Sequence, residues 1–207
     1  MKLCYVTDRK ALPGAPEEQI RSLAQKIKNA QRAGVDWIQI REKDLDARSL
    51  YALVREVMPD RFSERLIFVN DRLDVALAAG AYGVHLGEES LRVADARKFW
   101  ERTCADRFLF GVSAHSIKAV KQAEAEGADY VIFGPVFATP SKLAYGLPKG
   151  FEQLATACRC VSIPVLAIGG ITIENARQCV EAGAAGVAAI RLFQDAPDIE
   201  AVVRALR

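Results

Sequence analysis

A single (β/α)8 barrel spanning residues 1–207 is the fold this sequence predicts, and three observations predict it. Eight short Val/Ile-rich runs alternate with amphipathic stretches along the whole chain. Each run is followed by a helical pattern, which makes the strands parallel and favours closure into a barrel. A glycine also recurs just ahead of every second strand, in AGVDWIQ, AGAYGVH, EGADYVI and AGAAGVA, at Gly34, Gly80, Gly127 and Gly183. Glycine there accepts the left-handed cap that ends the preceding helix. A doubly wound open sheet is the alternative architecture, but no G-x-G-x-x-G follows the first strand.

The elements come in order. The strands fall in KLCYVTD, DWIQIRE, LIFVND, AYGVHLG, RFLFGVS, ADYVIFG, IPVLAIG and AGVAAIR. Between them lie helical patterns such as PEEQIRSLAQKIKNAQRAG and SIKAVKQAEAEG, and the last helix is expected near 196–206. The segment PVFATPSKLAYGLPKG, after the sixth strand, is the longest connection and is expected to serve as a lid.

Composition narrows the function classes. The chain has 207 residues, 51% hydrophobic and 26% charged, with a net charge of +2. That describes one soluble domain with a sizeable core and no general attraction to nucleic acid. No stretch approaches the ~18 apolar residues of a membrane span, and the N-terminus is too soon polar for a signal peptide. Cys4, Cys104, Cys158, Cys160 and Cys179 are scattered, and the one close pair is C-x-C without a nearby His. All five are read as free thiols of a cytoplasmic protein. Small molecules are the expected partners, and a homo-oligomer is compatible with the sequence.

Such barrels carry their sites at the C-terminal ends of the strands. In WIQIREKD, Gln39, Arg41 and Lys43 stand two apart, so a strand would put them on one face and Ile38 and Ile40 on the other. Arg41 offers a bidentate fork to phosphate and Lys43 a point charge. The other ends contribute Thr7 and Asp8, Asn70 and Asp71, His85, Ser113 and His115, and Gly169 and Gly170. The loop after the sixth strand adds Thr139, Ser141 and Lys142, and the eighth strand ends at Arg191. An anion would repel Asp71 unless a cation stood between them, so Mg²⁺ is implied. The glycines of AIGGIT suit a second phosphate cradle of backbone N–H groups.

These pieces resemble a known family. YVTD, IQIREK, VNDRLDVA, GVHLGEES, GVSAHS, ADYVIFGPVFATPSK, IPVLAIGGIT and AGAAGVAAI are similar to motifs of thiamine phosphate synthases and their TenI-like relatives, over essentially the whole chain. The resemblance implies coupling of hydroxymethylpyrimidine pyrophosphate to thiazole phosphate with release of pyrophosphate. Residues carried over as catalytic are Arg41, Lys43, Ser113 and Lys142. The substrate-binding set is Gln39, Ile40, Glu42, Asn70, Thr139, Pro140, Ser141, Gly169, Gly170, Ile190 and Arg191. Asp71 would ligate Mg²⁺ together with the residue at position 90, which is Ser90 here where the synthases have Asp. Ile190-Arg191 likewise stands where Ile-Ser is usual. These two departures keep a second reading open, a TenI-like thiazole tautomerase with His115 as its base. A third is a barrel that binds a thiazole or thiamine phosphate without turnover.

Overall fold

The computed structural model describes residues 1–58, 66–103, 107–139 and 148–207. Eight parallel strands close into a barrel in chain order: β1 (Lys2–Val6), β2 (Trp37–Ile40), β3 (Leu66–Asn70), β4 (Gly83–Leu86), β5 (Leu109–Ala114), β6 (Tyr130–Phe133), β7 (Val165–Ile168) and β8 (Gly186–Ala189). β8 pairs with β1 from Lys2↔Gly186 to Tyr5↔Ala189, which completes the ring and excludes the open sheet. Outside lie α1 (Pro16–Ala33), α2 (Ala47–Val57), α3 (Leu73–Ala79), α4 (Val93–Thr103), α5 (Ile117–Ala125), α6 (Gly150–Arg159), α7 (Ile173–Glu181), a short α8 (Arg191–Gln194) and α9 (Ile199–Leu206). Among the described residues, no helix is long and apolar enough to cross a membrane.

The two-residue period of the strands divides the core in two. Leu3, Tyr5, Ile38, Ile40, Ile67 and Val69 face outward and pack beneath the helices. Cys4, Val6, Trp37, Phe68, Tyr130, Ile132, Leu166 and Ala188 face inward and fill the barrel. Trp37, Phe68 and Tyr130 form its plug, with ring centroids 4.7 to 5.3 Å apart. The plug fits because Gly111 has no side chain: a Cβ there would lie 2.1 Å from Cζ of Tyr130.

The repeated glycines behave as expected, with φ of 99° at Gly34, 71° at Gly80, 90° at Gly127 and 104° at Gly183. The C-terminal region differs from the sequence reading. The last helix begins at Ile199 rather than near 196, because the Asp198 carboxylate accepts a bond from the N–H of Ala201 and caps it there. The short α8 intervenes directly after β8.

Candidate active site at the barrel mouth

A cavity of about 250 Å³ opens at the C-terminal ends of the strands, lined by Val6, Asp8, Gln39, Arg41, Asn70, Ser113, His115, Ile132, Ile168 and Ile190. Every one of these continues the inward parity of its strand. Val6, Ile132, Ile168 and Ile190 form apolar walls, and the polar groups stand around them. That combination suits a flat ring carrying a charged substituent.

The polar side is braced. Gln39 Nε2 donates to Asn70 Oδ1 at 2.8 Å, and Asn70 Nδ2 donates to Asp71 Oδ2 at 2.7 Å. Gln39 Oε1 is buried and has no partner among the described residues, so it offers an acceptor to a bound molecule. Asp71 has φ 59°, the one positive value among described non-glycine residues. Asp tolerates that conformation better than most residues, and it turns the carboxylate toward Gly87 and Ser90. Ser90 Oγ donates to Asp71 Oδ1, and the Gly87 N–H lies 3.2 Å from the same oxygen. The Arg41 backbone N–H donates to Thr7 Oγ1 at 2.9 Å. The Arg41 guanidinium makes no hydrogen bond or ion pair to any described residue.

Glu42 explains how Arg41 is held. Thr7 Oγ1 donates to Glu42 Oε1 at 2.6 Å, and Arg9 donates to Glu42 from its backbone N and from Nη1. Arg9 also forks onto Asp44 at 2.7 and 2.9 Å. Burial pushes the Glu42 carboxyl up, and the Arg9 guanidinium pulls that of Asp44 down. The brace anchors the loop between β1 and α1 to the loop after β2.

A second cavity, of about 150 Å³, lies over β7 and β8 and shares Asp8, Ile168 and Ile190 with the first. Gly169 and Gly170 line it with φ of 98° and 64°. A Cβ on Gly169 would sit 2.6 Å from Cβ of Pro135, and one on Gly170 2.7 Å from the Ala138 carbonyl oxygen. Thr139 is buried at its edge and accepts from Arg191 Nη2 at 3.0 Å. The Thr172 hydroxyl caps α7 by accepting from the Asn175 N–H, and Asn175 Nδ2 holds the Gly170 carbonyl at 2.9 Å. Thr172→Ala should therefore cost about 1 kcal/mol of stability, measured by denaturant unfolding. An unchanged midpoint would show that the cap contributes nothing.

Several residues read from the sequence stand elsewhere. β2 ends at Ile40, and the chain turns at Glu42–Leu45, where the Leu45 N–H bonds the Glu42 carbonyl. Lys43 is therefore exposed in a turn and does not line the cavity. The Ile40 side chain is fully buried against the helices, and the Glu42 carboxylate is consumed by Thr7 and Arg9 rather than turned to the cavity. Pro140, Ser141 and Lys142, with most of the expected lid, lie outside the described residues. So does Cys104; the other four cysteines are free thiols. Glu88 Oε1 accepts from the His115 N–H at 2.7 Å, and no cluster of three metal-ligating side chains occurs among the described residues. Asp8, which lines both cavities, was legible as a strand end but not as a shared wall.

Comparison with known proteins identifies the family. Residues 3–193 match the family described as thiamine monophosphate synthase, TMP-TENI. The thiamine-phosphate synthase of Roseiflexus castenholzii is 43% identical over 97% of this chain and 84% of its own. That of Methanoculleus marisnigri is 45% identical over 86% and 83%. The structure of thiamine phosphate pyrophosphorylase from Pyrococcus furiosus superposes with a TM-score of 0.84 at 33% identity, covering all of this chain and 93% of that one. A 3-hexulose-6-phosphate synthase, 20% identical with a TM-score of 0.70, shares the fold. The motifs at the barrel mouth, the closed barrel and these relatives agree, and the chain belongs to the thiamine monophosphate synthase family.

Proposed function

We propose that this protein is a cytoplasmic thiamine phosphate synthase that couples hydroxymethylpyrimidine pyrophosphate to thiazole phosphate. The observation that carries this reading is the pair of cavities meeting at Ile168 and Ile190. One presents a guanidinium with no ion-pair partner among the described residues beside an apolar slot, and the other is lined by the backbone of two glycines. Two substrates seated in them would meet at the shared wall. The C–O bond between the pyrimidine methylene and pyrophosphate breaks, and the thiazole nitrogen lone pair forms the new N–C bond. Pyrophosphate leaves with the bonding electrons. Arg41 stabilises the negative charge on the leaving group. Val6, Ile132 and Ile168 exclude water from the carbocation-like methylene, and holding both rings in place supplies much of the acceleration.

Asp71 and Ser90 would hold Mg²⁺. Their donor set fits: Mg²⁺ typically takes one or two carboxylates and completes its shell with substrate phosphates and waters. The Asp71 oxygens accept from Gly87, Ser90 and Asn70, and a carboxylate accepts about four such contacts. When bound, the ion offsets pyrophosphate charge.

A specific observation favours a second reading. His115 lines the same cavity and its Nδ1 lies 2.5 Å from the Gly134 carbonyl oxygen. Donation from Nδ1 puts the lone pair on Nε2, the arrangement of a general base for thiazole tautomerisation. The assay that separates the two supplies both purified synthase substrates with and without Mg²⁺. Thiamine phosphate should form only with the ion. No product at saturating substrates, alongside His115-dependent isomerisation of the thiazole carboxylate phosphate, would establish the tautomerase instead.

A further inference from the structure

Beneath Ser113 lies a buried polar chain that the proposed reaction does not itself use. His85 is 1% exposed and points into the barrel from β4. Its Nε2 is 2.9 Å from Ser113 Oγ, and its Nδ1 is 3.2 Å from the Tyr130 hydroxyl. Tyr130 is also 1% exposed, wedged between Trp37 and Phe68. Among the described residues, the hydrogen-bond partner of its hydroxyl is the His85 ring.

We propose that Tyr130 and His85 form a directional relay that fixes Ser113 as a hydrogen-bond donor to the cavity, so that the site selects a ring nitrogen with a bare lone pair. The direction follows from counting protons. A buried phenol must place its O–H on an acceptor, and His85 Nδ1 is that acceptor. Burial holds the Tyr130 proton in place by pushing its ionisation far up. With Nδ1 bare, the neutral imidazole carries its proton on Nε2 and donates it to Ser113 Oγ. An imidazolium would deprive the phenol of its acceptor and pay the desolvation of a buried cation. Ser113 Oγ, now an acceptor from below, keeps its own hydrogen for the cavity it lines. A pyrimidine ring nitrogen matches that donor, whereas a ring N–H meets hydrogen with hydrogen. His85 and Tyr130 are thus positioning residues acting through Ser113. The ligand class rests on the synthase reading above.

The protein has two histidines, which makes ¹⁵N NMR of the imidazoles a direct test. His85 should be neutral with its proton on Nε2, and Tyr130→Phe should let Nδ1 take a measurable share. A proton resident on Nδ1 in the unaltered protein would overturn the relay. Calorimetry gives the second arm, with hydroxymethylpyrimidine pyrophosphate and inorganic pyrophosphate as probes. His85→Leu should weaken the pyrimidine ligand about 10-fold, the worth of roughly one hydrogen bond. His85→Gln, whose amide donates from the position of Nε2, should restore it to within about twofold. Inorganic pyrophosphate should bind equally to all three proteins. Equal losses in both variants, or losses shared by both probes, would show a merely structural His85. If the unaltered protein binds neither probe, the synthase reading falls, and the NMR result alone decides the relay.

Discussion

Asp71→Asn should lower turnover by at least about 10²-fold, equivalent to ~2.7 kcal/mol of transition-state stabilisation, and should abolish its dependence on Mg²⁺. Asn is the informative substitution because it too tolerates φ near 59°, the value at this position. It keeps an oxygen for the Ser90 hydroxyl and the Gly87 N–H while removing the charge. The backbone therefore stays in place, and the loss reports the carboxylate, including the oxygen that accepts from Asn70 Nδ2. Asp71 is the one carboxylate among the described residues that the Ser90 hydroxyl and the Gly87 N–H contact, since position 90 is Ser and Glu88 Oε1 is turned to the His115 N–H. With no second carboxylate to share the load, the effect of losing Asp71 should be large. Calorimetric titration of Mg²⁺ into the protein–pyrophosphate complex provides a readout independent of turnover. A variant that retained Mg²⁺-enhanced pyrophosphate binding would refute the metal site.

Arg41→Ala should weaken pyrophosphate binding about 10- to 150-fold, the worth of a charged hydrogen bond at ~1.5–3 kcal/mol. The guanidinium lines the cavity without an ion-pair partner among the described residues, so its removal leaves no buried carboxylate uncompensated. The measured loss is then the interaction with the ligand and not a folding defect. Arg41→Lys should recover only part of it, because an ammonium lacks the planar fork. Calorimetry with inorganic pyrophosphate tests this, and wild-type affinity in the Ala variant would remove Arg41 from the clamp. Because Thr7, Glu42 and Arg9 brace the backbone at Arg41, the same experiment on a brace variant should show a smaller loss.

The barrel was legible in the chain because parallel strands buried on both faces leave near-continuous apolar runs, and because glycine marks helix ends by a conformation other residues disfavour. Parity along β2 likewise put Gln39 and Arg41 on one face, and the structure has both lining the cavity. Parity failed at Lys43, since it holds only while the strand continues, and β2 stops at Ile40. Just beyond its end Glu42 bonds Thr7 and Arg9, residues more than thirty positions away in sequence. His85 was legible as a polar residue of the fourth strand, and it is buried. Its role as the link between Tyr130 and Ser113 depends on β4, β5 and β6 standing side by side in register. Local pattern thus determined the strands, the helix ends and the direction of most side chains at the mouth. Contacts between residues far apart in the chain decided which polar groups are consumed in bracing and which remain for a ligand, because a hydrogen bond depends on separation in space and not on spacing along the chain.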